Sequence, residues 1–195
     1  MLRHGETAWS RSGQHTGRTD ISLTDAGRQA AAALKPHLAG HDFGWVACSP
    51  LGRARETARL AGLEPDDYLD DLLEWDYGQF EGRTTNEIRE QLADPEWVIW
   101  DATIGPGQTP GEQAEDVATR CARVLGRCQP FLERGEDVAL VAHGHVLRIL
   151  TATWLSLSAR SGRLFALETG TVSYLSFERT QHVIELWNAS GLGKE

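Results

Sequence analysis

An arginine and a histidine stand side by side near the amino end of the chain, in the segment Arg3-His4-Gly5-Glu6-Thr7. A guanidinium offers forked donors for phosphate oxygens, and a neutral imidazole nitrogen has a lone pair that can attack phosphorus. The glycine lets the backbone approach a ligand closely. These residue types therefore indicate phosphoryl chemistry, although an Arg-His pair by itself also occurs by chance on protein surfaces.

Two further histidines flank a glycine in Ala142-His143-Gly144-His145, directly after an apolar run. The pattern predicts that they lie between a buried strand and a helix, whose free amide hydrogens and partial positive charge favour an anion. Two alternatives stay open from the residues alone. A histidine here can cap its own backbone. Zinc is another partner of histidine, but no third ligand stands at a convincing spacing.

The elements that must position these side chains follow from the hydrophobic periodicity. Ser49-Pro50 predicts a helix start, with Ser49 as the cap, and Thr109-x-x-Glu112 has the spacing of a capping box. Short apolar runs bounded by turn residues predict strands. The predicted helices cover residues 26–38, 50–61, 118–132 and 146–155, and the predicted strands cover 45–48, 68–73, 138–142, 163–167, 171–177 and 183–187.

Strands that alternate with helices and then close in hairpins predict an α/β fold, a three-layer α/β/α sandwich around a mostly parallel sheet. The chain has no internal repeat, so residues 1–195 are predicted to form one domain. In such sheets, ligands bind beyond the carboxyl ends of the strands. The polar clusters at 3–6, 49–53 and 143–145 all fall at predicted strand ends, so we expect them to meet in one site.

Four segments together resemble the histidine phosphatase superfamily, in its phosphoglycerate-mutase-like branch. They occur in the family's order and span most of the chain, which makes the resemblance far more specific than any one motif. The four segments are Arg3-His4-Gly5-Glu6-Thr7, Ser49-Pro50-Leu51-Gly52-Arg53-Ala54-Arg55-Glu56-Thr57, Glu74-Trp75-Asp76-Tyr77-Gly78-Gln79-Phe80-Glu81-Gly82 and Ala142-His143-Gly144-His145.

The resemblance implies a phosphohistidine mechanism without a metal or a cofactor. His4 matches the family's nucleophile and Glu74 its proton donor. Arg3, Arg53 and His143 match the groups that hold the transferring phosphoryl group, which agrees with the need to neutralise its equatorial oxygens. We expect the second ring nitrogen of His4 to donate to a backbone carbonyl, because such partners commonly fix a tautomer.

Further residues are implied as contacts for the substrate. Thr16 and Gly17 resemble the family's substrate-contacting loop, with Ser10 nearby, and a glycine amide is a plausible donor to the ligand. The alternative for this loop is a plain turn. The complete predicted substrate-binding set is Arg3, Ser10, Thr16, Gly17, Arg53, Tyr77, Gly144 and His145.

Departures from the family's mutases favour hydrolysis of small phosphomonoesters. Thr85 occupies the place of a mutase lysine, and residues 94–110 contain no basic residue. We interpret 94–110, within an excursion at about 79–112, as a lid hinged at Gly105-Pro106-Gly107. Alternatively, its tryptophans pack on the core. The sequence therefore predicts a phosphomonoester hydrolase of the acid-phosphatase type.

Three other functions are alternatives to an acid phosphatase. One is a sedoheptulose- or fructose-bisphosphatase with Arg18 or Arg83 as the second-phosphate contact, and another is a cofactor-dependent mutase. A non-catalytic phosphate-binding module is the weakest alternative, because the nucleophile and acid positions are filled.

Composition limits the partners. The net charge of −9 disfavours binding to nucleic acid and to anionic membranes. Three cysteines without paired spacing argue against disulfides, and no apolar run has the length that a bilayer requires. We therefore expect a cytoplasmic protein that takes a small-molecule phosphomonoester, and a homodimer stays open.

Only Met1-Leu2 precede Arg3, fewer apolar residues than the family usually has there. A shortened start or a missing upstream segment would explain this, and the first strand is expected to be frayed.

Overall fold

The computed structural model describes residues 1–191, and its strands form a six-stranded sheet in the order β3-β2-β4-β1-β5-β6. The strands are β1 (Leu2–Arg3), β2 (Phe43–Cys48), β3 (Asp67–Tyr68), β4 (Asp137–Ala142), β5 (Thr171–Glu178) and β6 (Gln181–Ser190). The α-helices are α1 (Ala8–Ser12), α2 (Asp25–Ala33), α3 (Lys35–Leu38), α4 (Gly52–Leu60), α5 (Thr85–Leu92), α6 (Ala114–Leu132) and α7 (Gly144–Trp154). Short 3-10 helices cover Asp70–Leu72, Gly78–Phe80, Ile99–Asp101 and Ala159–Leu164.

The sheet is parallel from β3 to β1 and antiparallel from β1 to β6. Alternate side chains of β4 enter two hydrophobic clusters on opposite faces. Ala139 and Val141 pack with α3 and α4, whereas Leu140 and Ala142 pack with α6 and α7. This alternation explains why the whole strand is apolar, since both of its faces are covered. The predicted α/β sandwich with a mostly parallel sheet is confirmed.

The first strand is short but paired on both sides. Leu2 lies opposite Val141 of β4 and Val172 of β5, and its side chain is 1% exposed. The expectation that this strand frays is therefore wrong. The amide of His4 continues the ladder by donating to the carbonyl of Ala142 at 3.0 Å. The pairing brings the residues that follow β1 and β4 to the same edge of the sheet.

Two predicted helix starts are wrong. Helix α4 begins at Gly52 with Leu51 as its cap, because the hydroxyl of Ser49 lies 2.7 Å from the ring of His143 instead. Helix α6 begins at Ala114, and the hydroxyl of Thr109 donates to Asp76 rather than to a helix amide. In both places a partner that is distant in sequence takes the side chain from the helix end.

Two predicted strands are also corrected. Residues 68–73 contain only the end of β3, followed by a 3-10 turn over Asp70–Leu72. Residues 163–167 contain no strand, because the 3-10 helix Ala159–Leu164 occupies the start of this run. The remaining predicted strands correspond to β2, β4, β5 and β6.

Two glycines hold α2 against the loop after His4. A Cβ on Gly5 would lie 2.3 Å from the carbonyl oxygen of Gly27, and a Cβ on Gly27 would lie 2.2 Å from that of Glu6. We expect Gly27→Ala to lower the free energy of unfolding by about 1–3 kcal/mol, because backbone must move to admit the methyl group. Urea denaturation measures this loss, and an unchanged midpoint would contradict the close packing.

Gly126 is the matched control for that substitution. It is exposed inside α6, and a Cβ there would have no neighbour within 4 Å. Gly126→Ala should raise the free energy of unfolding by about 0.5–1 kcal/mol, since alanine favours a helix interior. The opposite signs of the two glycine substitutions separate steric conflict from helix propensity.

Candidate active site

A pocket opens at the carboxyl edge of β1 and β4. Its volume is about 180 Å³. The lining residues are Arg3, His4, Ser10, Gly13, Gln14, His15, Thr16, Glu74, Tyr77 and His145. The three polar clusters that the sequence analysis placed at strand ends therefore meet, with His143 and Arg53 directly behind His4.

His4 is buried at the base of the pocket in one defined tautomer. Its Nδ1 lies 2.7 Å from the carbonyl oxygen of Gly5. Because that oxygen can only accept, Nδ1 carries the proton and Nε2 keeps its lone pair. Burial, followed by the charges of Arg53 and Arg3, holds the pKa of His4 well below its ordinary value of 6.5. The ring is thus neutral at neutral pH, with the backbone bond that the sequence analysis expected.

His143 lies beside His4, with a distance of 5.1 Å between the ring centroids. Arg53 Nε donates to its Nδ1 at 3.1 Å, so the proton of the ring is on Nε2 and is donated to Ser49 Oγ at 2.7 Å. Burial, with the nearby charges of Arg53, His4 and Arg3, lowers the pKa of His143 well below 6.5. Ser49 is therefore a partner that fixes this ring.

The guanidinium of Arg53 is buried and held mainly by neutral acceptors. Its terminal nitrogens donate to the carbonyls of Thr16, Gly17 and Thr19 at 2.8–3.2 Å. Asp20 approaches only to 3.7 Å. Because carbonyl dipoles orient the group without neutralising it, its positive charge stays available for an anion.

Arg3 contributes a second cation. One terminal nitrogen donates to the carbonyl of Leu167, whereas Nε is buried and has no acceptor among residues 1–191. Buried donors in proteins normally have partners, and a phosphate oxygen is a suitable one for this group. Gly144 packs against the guanidinium, since a Cβ there would lie 3.1 Å from Arg3 Cζ. The contact that the structure gives Gly144 is therefore with Arg3.

Glu74 is held at the start of α7. Its Oε1 accepts from the amides of Trp75 and Val146 at 2.9 and 2.8 Å, and its Oε2 accepts from the amide of His145 at 2.9 Å. These helix amides are the ones predicted from the sequence to face a bound anion. Instead, the carboxylate of Glu74 occupies this position, where a negative group is favoured.

Three rings form one wall of the pocket. Tyr77 Oη lies 2.6 Å from His145 Nδ1, and the ring centroids of His15 and Tyr77 are 4.9 Å apart. Burial lowers the pKa of His15 to about 4, and burial with nearby positive charge holds that of His145 well below 6.5. Burial also raises the pKa of Tyr77 well above 10. The wall is therefore uncharged at neutral pH.

The segment between β1 and α2, which contains Ser10, Thr16 and Gly17, contributes less directly than expected. Ser10 and Thr16 both line the pocket, but the Ser10 hydroxyl is engaged with the backbone of Thr7. The amide of Gly17, expected to face the substrate, donates to both carboxylate oxygens of Glu81 at 2.9–3.0 Å. Gly17 therefore acts on the site through its carbonyl, which accepts from Arg53.

Sequence reasoning missed three lining residues, Gly13, Gln14 and His15. All lie between the predicted contacts Ser10 and Thr16, so their position in that segment was the available signal.

Residues 94–110 stand behind the wall of His15, Tyr77 and His145. The ring centroid of Trp97 is 6.0 Å from that of His15, and the centroid of Trp100 is 4.9 Å from that of His145. Both indoles are at most 8% exposed, so they pack in the core.

Three features of residues 1–191 bear on other types of site. Among residues 1–191, His, Cys, Asp and Glu side chains do not assemble into a group of three with the placement of metal ligands. All three cysteines are free and buried. None of the helices described combines the length and apolar character needed to cross a bilayer.

Comparison with known proteins gives consistent relatives. The family model described as histidine phosphatase superfamily (branch 1) matches residues 1–190. A Mycobacterium tuberculosis protein named acid phosphatase is 39% identical over 181 residues, which cover 91% of this chain and 85% of the relative. A Saccharomyces cerevisiae protein named sedoheptulose 1,7-bisphosphatase is 31% identical, with coverages of 99% and 84%.

A solved structure agrees with these sequence matches. The product of the open reading frame Rv3214 from Mycobacterium tuberculosis superimposes with a TM-score of 0.90 at 36% sequence identity. The superposition covers 98% of this chain and 96% of that one. The likeness thus extends over the sheet, both helical layers and the pocket.

Proposed function

This chain belongs to the histidine phosphatase superfamily, and from that premise we propose that it is a metal-independent phosphomonoester hydrolase of the acid-phosphatase type. The observation that carries the proposal is the state of His4: a buried, neutral ring with Nδ1 bonded to Gly5 and Nε2 available beside Arg3 and Arg53. This arrangement suits attack on a phosphoryl group that the guanidinium groups hold.

In the first half of the reaction, the lone pair of His4 Nε2 attacks phosphorus. The bond between phosphorus and the ester oxygen breaks, and Glu74 gives a proton to the departing oxygen. The three amides that bond Glu74 favour its charged form, so this step requires Glu74 to bind a proton before the ester bond breaks. Arg3 and Arg53 neutralise the charge on the equatorial oxygens during transfer. His143 was also predicted to hold these oxygens, but its Nδ1 accepts from Arg53 and its single N–H donates to Ser49, so here it packs beside His4 instead. The products of this half are a free alcohol and a phosphohistidine.

In the second half, water resolves the phosphohistidine. Glu74, now a carboxylate, takes a proton from the water while its oxygen attacks phosphorus. The bond between phosphorus and Nε2 breaks, so the ring recovers its lone pair and inorganic phosphate is released. The chain is thereby returned to its starting protonation state.

The charges around the pocket support phosphomonoesters in which the organic group bonded to the phosphate is uncharged. The wall of His15, Tyr77 and His145 is uncharged, so it favours an organic group over a second phosphate. Arg18, a candidate for a second phosphate, lies 3.3 Å from the carboxylate of Glu112, which repels an anion, although its Nη1 is buried without an acceptor among residues 1–191. Thr85, at the position of the mutase lysine, lies 3.5 Å from His15. Small phosphorylated metabolites with one phosphoryl group are therefore the proposed substrates.

The test compares substrates without added metal. We expect the purified protein to hydrolyse p-nitrophenyl phosphate equally well with and without EDTA. Its kcat/KM on phosphomonoesters should exceed that on sedoheptulose 1,7-bisphosphate, the substrate in the name of the yeast relative. With 3-phosphoglycerate and the 2,3-bisphosphate primer, phosphate release should exceed isomerisation. Loss of activity in EDTA, a preference for the bisphosphate, or faster isomerisation would each overturn the corresponding part of the proposal.

A further inference from the structure

Arg120, a buried arginine on α6, donates hydrogen bonds to the loop that carries Glu74. The side chain of Arg120 is 6% exposed, and all five of its N–H donors are used. Nη1 donates to the carbonyls of Asp71 and Leu73 at 2.8 and 2.6 Å, and Nη2 donates to the carbonyl of Glu74 at 3.1 Å. Three carbonyls of a segment that has no strand pairing after residue 68 are thus fixed by one side chain.

The remaining donors of Arg120 bind Glu112, at 2.9 and 3.2 Å. Glu112 in turn accepts hydrogen bonds from the two residues after Glu74. Its carboxylate accepts from the amide of Asp76 at 2.9 Å, and its carbonyl accepts from the indole of Trp75 at 2.7 Å. The pair of Arg120 and Glu112 therefore holds the backbone on both sides of Glu74.

Glu74 is consequently attached at two ends. Its carboxylate is bonded to the amides at the start of α7, and its backbone is bonded to α6 through Arg120. A proton donor is effective only within hydrogen-bond reach of the departing oxygen, and an error of about 1 Å in such geometry costs about 100-fold in rate. The backbone attachment thus sets where the carboxyl group faces the substrate.

We propose that Arg120, paired with Glu112, is a positioning residue that places Glu74 for proton transfer to the leaving group. The proposal rests on the proposed function, in which Glu74 supplies that proton. A planar fork with five donors is required, since a lysine has only three donors and cannot span the carbonyls and the carboxylate together.

The leaving group provides the test. p-Nitrophenolate departs as a stable anion, whereas the alkoxide of glycerol 2-phosphate needs a proton. The parameter to compare is kcat/KM, because it covers only the steps up to departure of the leaving group. We expect Arg120→Met to lower kcat/KM for glycerol 2-phosphate by about 10- to 100-fold and that for p-nitrophenyl phosphate by less than about threefold. Equal losses on the two substrates would overturn the proposal.

Two further variants keep the test interpretable. Glu74→Gln should show the same selective loss to a larger degree. If it shows no selectivity, the proposed proton donor is wrong and the positioning role of Arg120 falls with it, whereas a selective Glu74→Gln beside an unselective Arg120→Met overturns only the role of Arg120. Arg123→Met is the matched control: it removes an exposed arginine of α6 that pairs with the side chain of Asp71. Both substrates should then stay within about twofold of wild type.

A buried arginine with five bonds can also be essential for folding. If Arg120→Met does not fold, Glu112→Gln is measured in the same way. It keeps the shape of the side chain and leaves the bonds from Arg120 to the loop carbonyls in place. A selective loss of about three- to tenfold on glycerol 2-phosphate is expected, because the ion pair that orients Arg120 is weakened. Equal change on both substrates would again overturn the proposal.

Discussion

Replacement of His4 by alanine is expected to lower phosphatase activity by at least about 10⁴-fold. His4 is the proposed nucleophile, with its Nε2 lone pair free beside Arg3 and Arg53, and removal of a catalytic nucleophile typically has an effect of this size. The variant should fold, since within residues 1–191 the lost ring makes a single side-chain hydrogen bond, to the neighbouring Gly5. Activity on p-nitrophenyl phosphate and incorporation of an acid-labile phosphoryl label measure the loss together.

The label distinguishes the proposed intermediate from direct attack by water. Wild type should carry acid-labile phosphate during turnover, and His4→Ala should carry none. His41→Ala serves as the control, because His41 is part of an exposed pair with Asp137 beside β4, away from the pocket, and should retain both label and turnover. Substantial turnover by His4→Ala, or label on another residue, would refute the covalent mechanism.

The layers of the fold could be predicted from sequence because the spacing of apolar residues indicates which face of a helix or strand is buried. The apolar run of β4 and the helix predicted over 118–132 both reflect contact with the core, and both predictions are confirmed. Helix ends were less predictable. Ser49 and Thr109 carry good capping signals, but His143 and Asp76 compete for their hydroxyls in the folded chain.

The site was predictable as a set of residues but not as a set of contacts. Motif resemblance identifies His4, Arg3, Arg53, His143 and Glu74, and their catalytic roles stay predictions. It does not reveal that Glu74 binds the start of α7, across 71 residues, or that Arg120 binds the Glu74 carbonyl, across 46. Such pairs depend on how loops approach helices in the folded state, which local spacing does not encode.

Neutral, buried histidines also couple stability to pH. The pKa values of His4, His143 and His145 lie well below 6.5 in the folded chain, and that of His15 is about 4, mainly because of burial. Unfolded, each ring recovers a pKa near 6.5. Below pH 6.5 the unfolded chain therefore binds protons that the folded chain does not. Above pH 6.5 both states are neutral, and these rings contribute no pH dependence.

We therefore expect the free energy of unfolding to fall steeply as the pH decreases from 6.5 towards 4, by up to about 1.4 kcal/mol per pH unit for each histidine. Urea denaturation at a series of pH values measures this slope. His15→Gln should make the slope shallower by up to about 1.4 kcal/mol per pH unit, since one buried ring is removed. Inorganic phosphate should also make it shallower, because a bound anion favours protonated His4 and His143. A slope that is flat between pH 6.5 and 5, or unchanged in His15→Gln, would mean that these rings accept protons in the folded state.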